Sequence, residues 1–196
     1  MASNVAEIDI WNMALDMLHE APVSSPSEDT GVRLWFSRNF AHTRDSELRK
    51  FAWNFALSRI QLAASVEVPA WRWRYKFELP GDCLRMMALR QAGALNGALI
   101  PFELEGGAIL TDATAPLKLR YIRRVTTTGL WDTLFVDVVA ARLAAKLAHW
   151  LTGKSSHAQI AEQNYAQTLR EARRIDALEQ FQEDLDQNNV IRVRGL

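Results

Sequence analysis

Between Trp71 and Leu79 an apolar residue stands at every second position: Trp71, Trp73, Tyr75, Phe77 and Leu79, with Arg72, Arg74, Lys76 and Glu78 between them. A period of two places the sets on opposite faces of a strand, whereas most of the chain repeats with helical spacing. A β-rich insert is therefore forced on a mainly helical fold. The rings are expected to face a core and the cations to face solvent or a neighbouring subunit.

The strand is bounded by Pro69 before it and by the turn Pro80-Gly81 after it. Further strands are predicted over Leu84 to Arg90, Leu99 to Glu105, Ala108 to Thr111 and Leu117 to Val125, separated by Gly93, Asn96-Gly97, Gly106-Gly107 and a turn from Asp112 to Pro116. Asn-Gly and Gly-Gly between apolar runs are hairpin signals. The expectation is an antiparallel meander of four to five strands.

Helices are predicted on either side. Asn4 with Glu7 has the form of a capping box, followed by Ile8, Trp11, Leu15 and Leu18, and the helix should stop before Pro22. Thr30 caps a second helix that runs to about Lys50 with Trp35, Phe36, Phe40 and Thr43 on one face. Residues 53 to 62 read equally as strand and as helix. After Gly129 the helical period returns through Leu134, Val138, Ala141, Ala145 and Ala148, whose small side chains allow close approach of another helix, with Gly153 as the stop. Ser156 with Gln159 caps a last, mostly polar helix using Ile160, Tyr165, Leu169, Ala172, Leu178, Phe181 and Leu185.

The fold class read from this pattern is α+β and mainly helical: a helical bundle from the N- and C-terminal segments with a small antiparallel β insert in the middle. The parts are residues 1–52, helical; 53–127, β-rich; 128–186, helical and packed on 1–52; and 187–196, an extended tail in which Val190, Ile191 and Val193 interleave with Arg192 and Arg194.

Composition narrows the function. Apolar residues make up 48% of 196, yet no run reaches a membrane span and no basic-then-apolar leader opens the chain, so a soluble, untargeted protein is expected. A single cysteine, Cys83, points to a reduced thiol in a cytoplasm-folded protein. A net charge of zero argues against a general nucleic-acid binder. Gly153-Lys154-Ser155 resembles the end of a phosphate loop, but Ala148 stands where that motif needs glycine, and a helix precedes it. His19, His42, His149 and His157 do not pair at metal-ligand spacing. No catalytic residue, metal or cofactor is assigned.

Charge is unevenly distributed. Arg72, Arg74, Lys76, Arg120, Arg123 and Arg124 form a basic set in the insert, and Glu179, Glu183, Asp184 and Asp186 an acidic set on the last helix. Opposed sets on separate segments suit contact between copies of the chain, so these ten residues are the candidate oligomer interface. Val190, Ile191, Arg192, Val193 and Arg194 are candidate contacts of the tail with a partner, by adding an edge strand.

Several segments, in order, resemble the phage head-to-tail adaptor family typified by podovirus tail tubular protein A. They are Leu18 to Ser24, Arg44-Asp45-Ser46-Glu47-Leu48-Arg49, Trp53-Asn54-Phe55-Ala56-Leu57-Ser58-Arg59, Tyr75 to Arg85 with its Leu79-Pro80-Gly81-Asp82, Leu134 to Asp137, Arg142-Leu143-Ala144 and Tyr165 to Arg173. The resemblance spans nearly the whole chain. It implies a non-enzymatic virion protein of the neck, assembled in the host cytoplasm as a homo-oligomeric, commonly dodecameric ring. Its implied partners are the portal protein, tail or nozzle proteins and double-stranded DNA passing without being read; no membrane is involved. The alternative is a cytoplasmic nucleic-acid-binding or regulatory domain using the basic aromatic strand 71–77. A third reading, a hydrolase around Cys83 and Asp82, has no other support in the chain.

Overall fold

The computed structural model describes residues 5–91, 97–152 and 155–193, with side chains of 152, 155 and 180–193 left aside. Among the described residues it has four α-helices and two antiparallel sheets of three strands each, with 48% of the chain helical when the 3-10 turns are included, so the fold is α+β and mainly helical. In chain order these are α1 (Glu7–Asp16), α2 (Gly31–Lys50), β1 (Leu57–Leu62), β2 (Tyr75–Glu78), β3 (Cys83–Met86), β4 (Phe102–Glu105), β5 (Ala108–Thr111), β6 (Leu117–Arg123), α3 (Thr133–Thr152) and α4 (Ser155–Val193). Two compact units result: Met1–Phe55 with Val125–Leu196, and Ala56–Arg124.

The helical unit follows its sequence signals closely. Thr30 caps α2, its hydroxyl accepting the Arg33 N–H at 3.3 Å. At α1 Ala6 is the cap, its N–H donating to Asp9 Oδ2 at 2.8 Å; Asn4, the expected cap, lies outside the described residues. The helix stops at Asp16, well before Pro22, because His19 enters the left-handed region at φ 56° and Glu20 N–H bonds back to the Leu15 carbonyl. Asn12 then clasps the following loop, exchanging two hydrogen bonds with the Val23 backbone at 2.9 and 3.2 Å.

Aromatic rings fill the centre of this unit. Trp11 stacks on Phe36 with centroids 5.5 Å apart, and Trp131 and Trp53 each meet Phe135 at 5.1 Å. Both indoles are fully buried with their N–H groups satisfied, Trp53 by the Glu47 carbonyl and Trp131 by that of Val125. On α3 the residues Ala140, Ala141, Ala144, Ala145 and Ala148 are all buried, as the small-residue pattern requires for close helix packing.

The β unit is narrower than the expected 53–127. Trp53 and Phe55 pack on Phe135, and Val125 is buried with its carbonyl bound to Trp131, so both ends of the expected insert belong to the helical unit. The expected single meander is also corrected. Strand order is β1-β6-β3 in one sheet and β2-β5-β4 in the other. The ambiguous stretch supplies the difference: Asn54–Ala56 forms a 3-10 turn and 57–62 becomes β1, paired antiparallel with β6 from Leu57↔Ile122 to Leu62↔Leu117. Leu62, Phe77, Leu89, Ile109, Leu117, Leu119 and Tyr121, drawn from both sheets, bury one common core.

Gly106 and Gly107 make the β4–β5 hairpin turn, with φ at 55° and 82°. Both central residues at positive φ define the turn that suits strand twist. Replacing Gly107 by valine is expected to destabilise the β unit by about 1–2 kcal/mol, the cost of a side chain in the left-handed region. Faster cleavage of the β unit in limited proteolysis checks this, and unchanged cleavage would refute it.

Two expectations fail locally. The regular strand begins at Tyr75 rather than Trp71, because Arg72 turns to φ 72° and Trp73 N–H bonds back to the Trp71 carbonyl at 2.9 Å. Trp71 is consequently 80% exposed instead of facing the core. The extended tail of 187–196 is not formed either, since α4 runs unbroken to Val193. Once a helix exists, each added residue gains a hydrogen bond without a new nucleation cost, and no Gly or Pro intervenes between Ser155 and Val193. Residues 194–196 lie outside the described residues.

Candidate functional site

The predicted basic set does not form one face. Arg72, Arg74 and Lys76 sit on or beside β2, whereas Arg120 and Arg123 lie on β6 and Arg124 just after it, in the other sheet. Lys76 is already paired within the chain, its Nζ 2.7 Å from Glu67 and 3.0 Å from Glu78. The hydrogen bonds that Lys76 donates to these carboxylates raise its pKa, and the one to Glu67 lowers that of Glu67. Arg72 lies over the Trp73 ring at 5.1 Å and 3.3 Å from Glu103, which also accepts the Trp73 indole N–H at 2.8 Å. Arg74 is exposed, with its backbone N–H held by Asp112 at 3.0 Å.

In the other sheet Arg120 is half-buried opposite Arg59, Arg123 lies opposite Cys83, and the exposed Arg124 donates its backbone N–H to the Asp82 carbonyl. Of the acidic set, Glu179 is exposed on α4, and Glu183, Asp184 and Asp186 follow on its helical backbone. Val190, Ile191, Arg192 and Val193 are helical, and Arg194 lies outside the described residues.

The alternation of rings and cations therefore breaks where it was expected to be strongest. Trp71, Arg72 and Trp73 share a turn, with a guanidinium over one ring and the other ring open to solvent. A groove of about 350 Å³ beside them is lined by Glu67, Val68, Arg72, Lys76, Glu103 and Glu105 among others. Nothing in the period-two pattern distinguishes a strand residue from one turned out by its neighbour's left-handed φ.

Sequence inspection missed a buried charged cluster in the helical unit. Glu47, 1% exposed, accepts Lys50 Nζ at 2.7 Å and the Tyr165 hydroxyl at 2.9 Å, with Arg142 Nε at 3.8 Å. Arg142 also lies over the Tyr165 ring at 4.8 Å and bonds Glu162 at 2.8 Å, while Lys146 donates to Thr43 at 2.8 Å. Burial alone would lower Lys50, but its bonds to Glu47 and Tyr165 leave its pKa raised; burial raises Tyr165 and lowers Lys146. The cluster ties α2, α3 and α4 together. The available signal was Glu47 and Lys50 at i,i+3 on a face otherwise expected to pack.

No protein-family model matches the chain, and no curated protein matches it.

Residues that carry the adaptor resemblance hold the framework of each unit. Asn54 clasps α4 of the helical unit twice: its N–H donates to Asp176 Oδ1 at 3.0 Å and its Nδ2 to the Asp176 carbonyl at 2.8 Å. Burial, reinforced by Glu179 and Asp132, pushes the Asp176 carboxyl up to about 6, and its Oδ2 is buried without a hydrogen-bond partner. In the β unit Asp82 accepts the Tyr121 hydroxyl at 3.2 Å and, through its carbonyl, the Arg124 N–H at 2.7 Å. Asp82 and the half-buried Cys83 thus sit in a strand-turn framework. Among the described residues no helix is long and apolar enough to cross a membrane, and no three His, Cys, Asp or Glu side chains are grouped as metal ligands.

Proposed function

We propose that the protein is a structural virion component, a head-to-tail adaptor that assembles as an oligomeric, dodecameric ring, joins the portal to tail or nozzle proteins and lines part of the DNA exit channel in the virion neck. The observation that carries this reading is the ordered resemblance from Leu18 to Arg173. Its Trp53-Asn54 and Leu79-Pro80-Gly81-Asp82 segments supply the clasp on Asp176 and the turn that holds Tyr121, so they serve the framework of the units.

The shape of α4 supports the reading. Its 39 residues make a rod about 58 Å long at 1.5 Å per residue. Asp176 is the last buried position among residues whose side chains are described, Leu178 is 57% exposed, and the helix continues to Val193. Ile160 and Leu178, exposed apolar side chains on this helix, offer a surface to a partner, and ring contacts join different faces of successive copies.

Negative-stain imaging of the purified protein, alone and mixed with its portal, tests the proposal. Closed rings are expected in at least one sample. Monomers in both would overturn it.

A nucleic-acid-binding role is the second reading, favoured by the exposed Trp71 beside the Arg72–Trp73 stack. It requires salt-sensitive binding of single-stranded DNA that is lost on Trp71→Ala.

A further inference from the structure

One edge of the second sheet is open and the other is covered. The Leu79 N–H donates to the Gly107 carbonyl at 3.0 Å, so Gly107 turns that carbonyl toward the β2 side. Backbone groups alternate sides along a strand, so Ile109 and Thr111 bond toward β2, and Ala108 and Leu110 toward β4. The register partners of Ala108 and Leu110 are Glu105 and Glu103, which therefore bond inward. Phe102 and Leu104 are left presenting their N–H and C=O groups outward. Among the described residues no strand pairs with β4 on that side. At the opposite edge the Ser65 N–H donates to the Lys76 carbonyl at 2.7 Å and covers β2.

Side chains on the open strand divide by chemistry. Phe102 and Leu104 lie in register with the buried Thr111 and Ile109, hence on the core face, yet they are 37% and 52% exposed. Glu103 and Glu105 occupy the outer face. Together with Glu67 and Glu78 they set four carboxylates against Arg72 and Lys76 in and beside the neighbouring groove. Open edges are commonly blunted by charged side chains, proline or a covering segment; here Pro101 stands before the strand and Glu103 and Glu105 give it negative charge, which disfavours an acidic strand and admits a basic one.

We propose that β4 is a strand-addition site that takes an extended segment of another protein in which apolar and basic residues alternate. The apolar residues extend the core face beside Phe102 and Leu104, the basic ones meet Glu103 and Glu105, and the main chain bonds the outward groups of Phe102 and Leu104. A second copy of β4 is the wrong occupant. A register that pairs Phe102 or Leu104 of one copy with Leu104 of the other sets carboxylate opposite carboxylate on the other face, which is destabilising. The proposal stands apart from the adaptor reading and does not need a ring.

Fluorescence anisotropy with the full chain tests it, using a labelled six-residue peptide of alternating lysine and valine. Controls are the same peptide with glutamate for lysine and a version N-methylated on one backbone edge. The lysine peptide is expected to bind at least tenfold more tightly than either control. Leu104→Pro, which removes an outward N–H while leaving the Glu103 and Glu105 ladder bonds, should weaken it at least tenfold. Glu105→Lys, at an exposed position, should weaken the lysine peptide and favour the glutamate one, a reversal that general unfolding does not produce. Equal binding of the N-methylated peptide, no binding of the lysine peptide, or failure of Glu105→Lys to shift the preference would overturn the proposal. So would sedimentation showing a dimer of the protein alone that Leu104→Pro dissolves, which would assign the edge to a second copy.

Discussion

Replacing Glu47 by alanine should destabilise the helical unit by about 3–5 kcal/mol, the usual consequence of removing one partner from a buried ion pair. The carboxylate is 1% exposed and is the shared acceptor of Lys50 and Tyr165, with Arg142 beside it. Its loss removes the acceptor of the Tyr165 O–H and leaves neighbouring cations without their compensating charge. Tyr165→Phe removes two hydrogen bonds, the one its hydroxyl donates to Glu47 and the one it accepts from Lys50, and should cost about 1–3 kcal/mol. The double variant should lose less than the sum, because both changes act on one cluster. Urea unfolding followed by tryptophan fluorescence measures this, since five of the seven tryptophans, at 11, 35, 53, 131 and 150, lie in the helical unit. A Glu47→Ala loss below 1 kcal/mol would mean that the cluster is solvated and contributes little.

The other buried carboxylate should behave in the opposite way. Asp176 is 8% exposed, has acidic rather than basic neighbours in Asp132 and Glu179, and titrates near 6 instead of 3.8. Because the folded-state pKa is the higher one, its contribution is fully present below about pH 3.8 and is lost as pH rises through about 6. Above that, the folded protein carries a buried charge that the unfolded chain carries at no cost. A shift from 3.8 to about 6 corresponds to about 3 kcal/mol. Asp176→Asn keeps an oxygen for the Asn54 N–H and removes the charge. The variant should therefore gain on the wild type as pH rises, reaching an advantage of up to about 3 kcal/mol at pH 8. Parallel denaturation at pH 4 and pH 8 decides it; the other titrating groups are common to both proteins, so a gap that does not change with pH would exclude the shifted titration.

These two carboxylates mark the boundary of what linear patterns reveal. Both lie in segments that carry the family resemblance or adjoin it, and each has one local hint, Lys50 three residues after Glu47 and Glu179 three after Asp176, yet local sequence does not say that either carboxylate is buried. That depends on distant residues packed against them, Tyr165 on Glu47 and Asn54 on Asp176, at sequence separations of more than a hundred residues. The strand over 71–79 fails for a related reason. Its alternation is real, but the left-handed Arg72, the return bond from Trp73 to Trp71 and the grip of Asp112 on Arg74 outweigh the tendency of Trp71 to be buried.

The candidate interface was read from charge alone and is dispersed in the fold. Lys76 and Arg72 satisfy carboxylates of their own unit, and the remaining arginines belong to the other sheet. Formal charge is visible in sequence, whereas its neutralisation by a neighbour is a contact property. The tail was misjudged because four alternating residues resemble a strand, while the helix they extend begins more than thirty residues earlier and needs no new nucleus to continue.

Local chemistry by itself determined the helices and the tight turns. Thr30 and Gly106-Gly107 act through a cap and through backbone freedom, both decided within a few residues of chain. Tertiary structure alone decided that β1 pairs with β6 across more than fifty residues, and that the β strands divide into two sheets over one core. It also decided which carboxylate is paired and which strand edge is open. Those outcomes depend on burial and on partners brought together from distant segments, where the energy of a charge or an unpaired N–H is set by what stands opposite it.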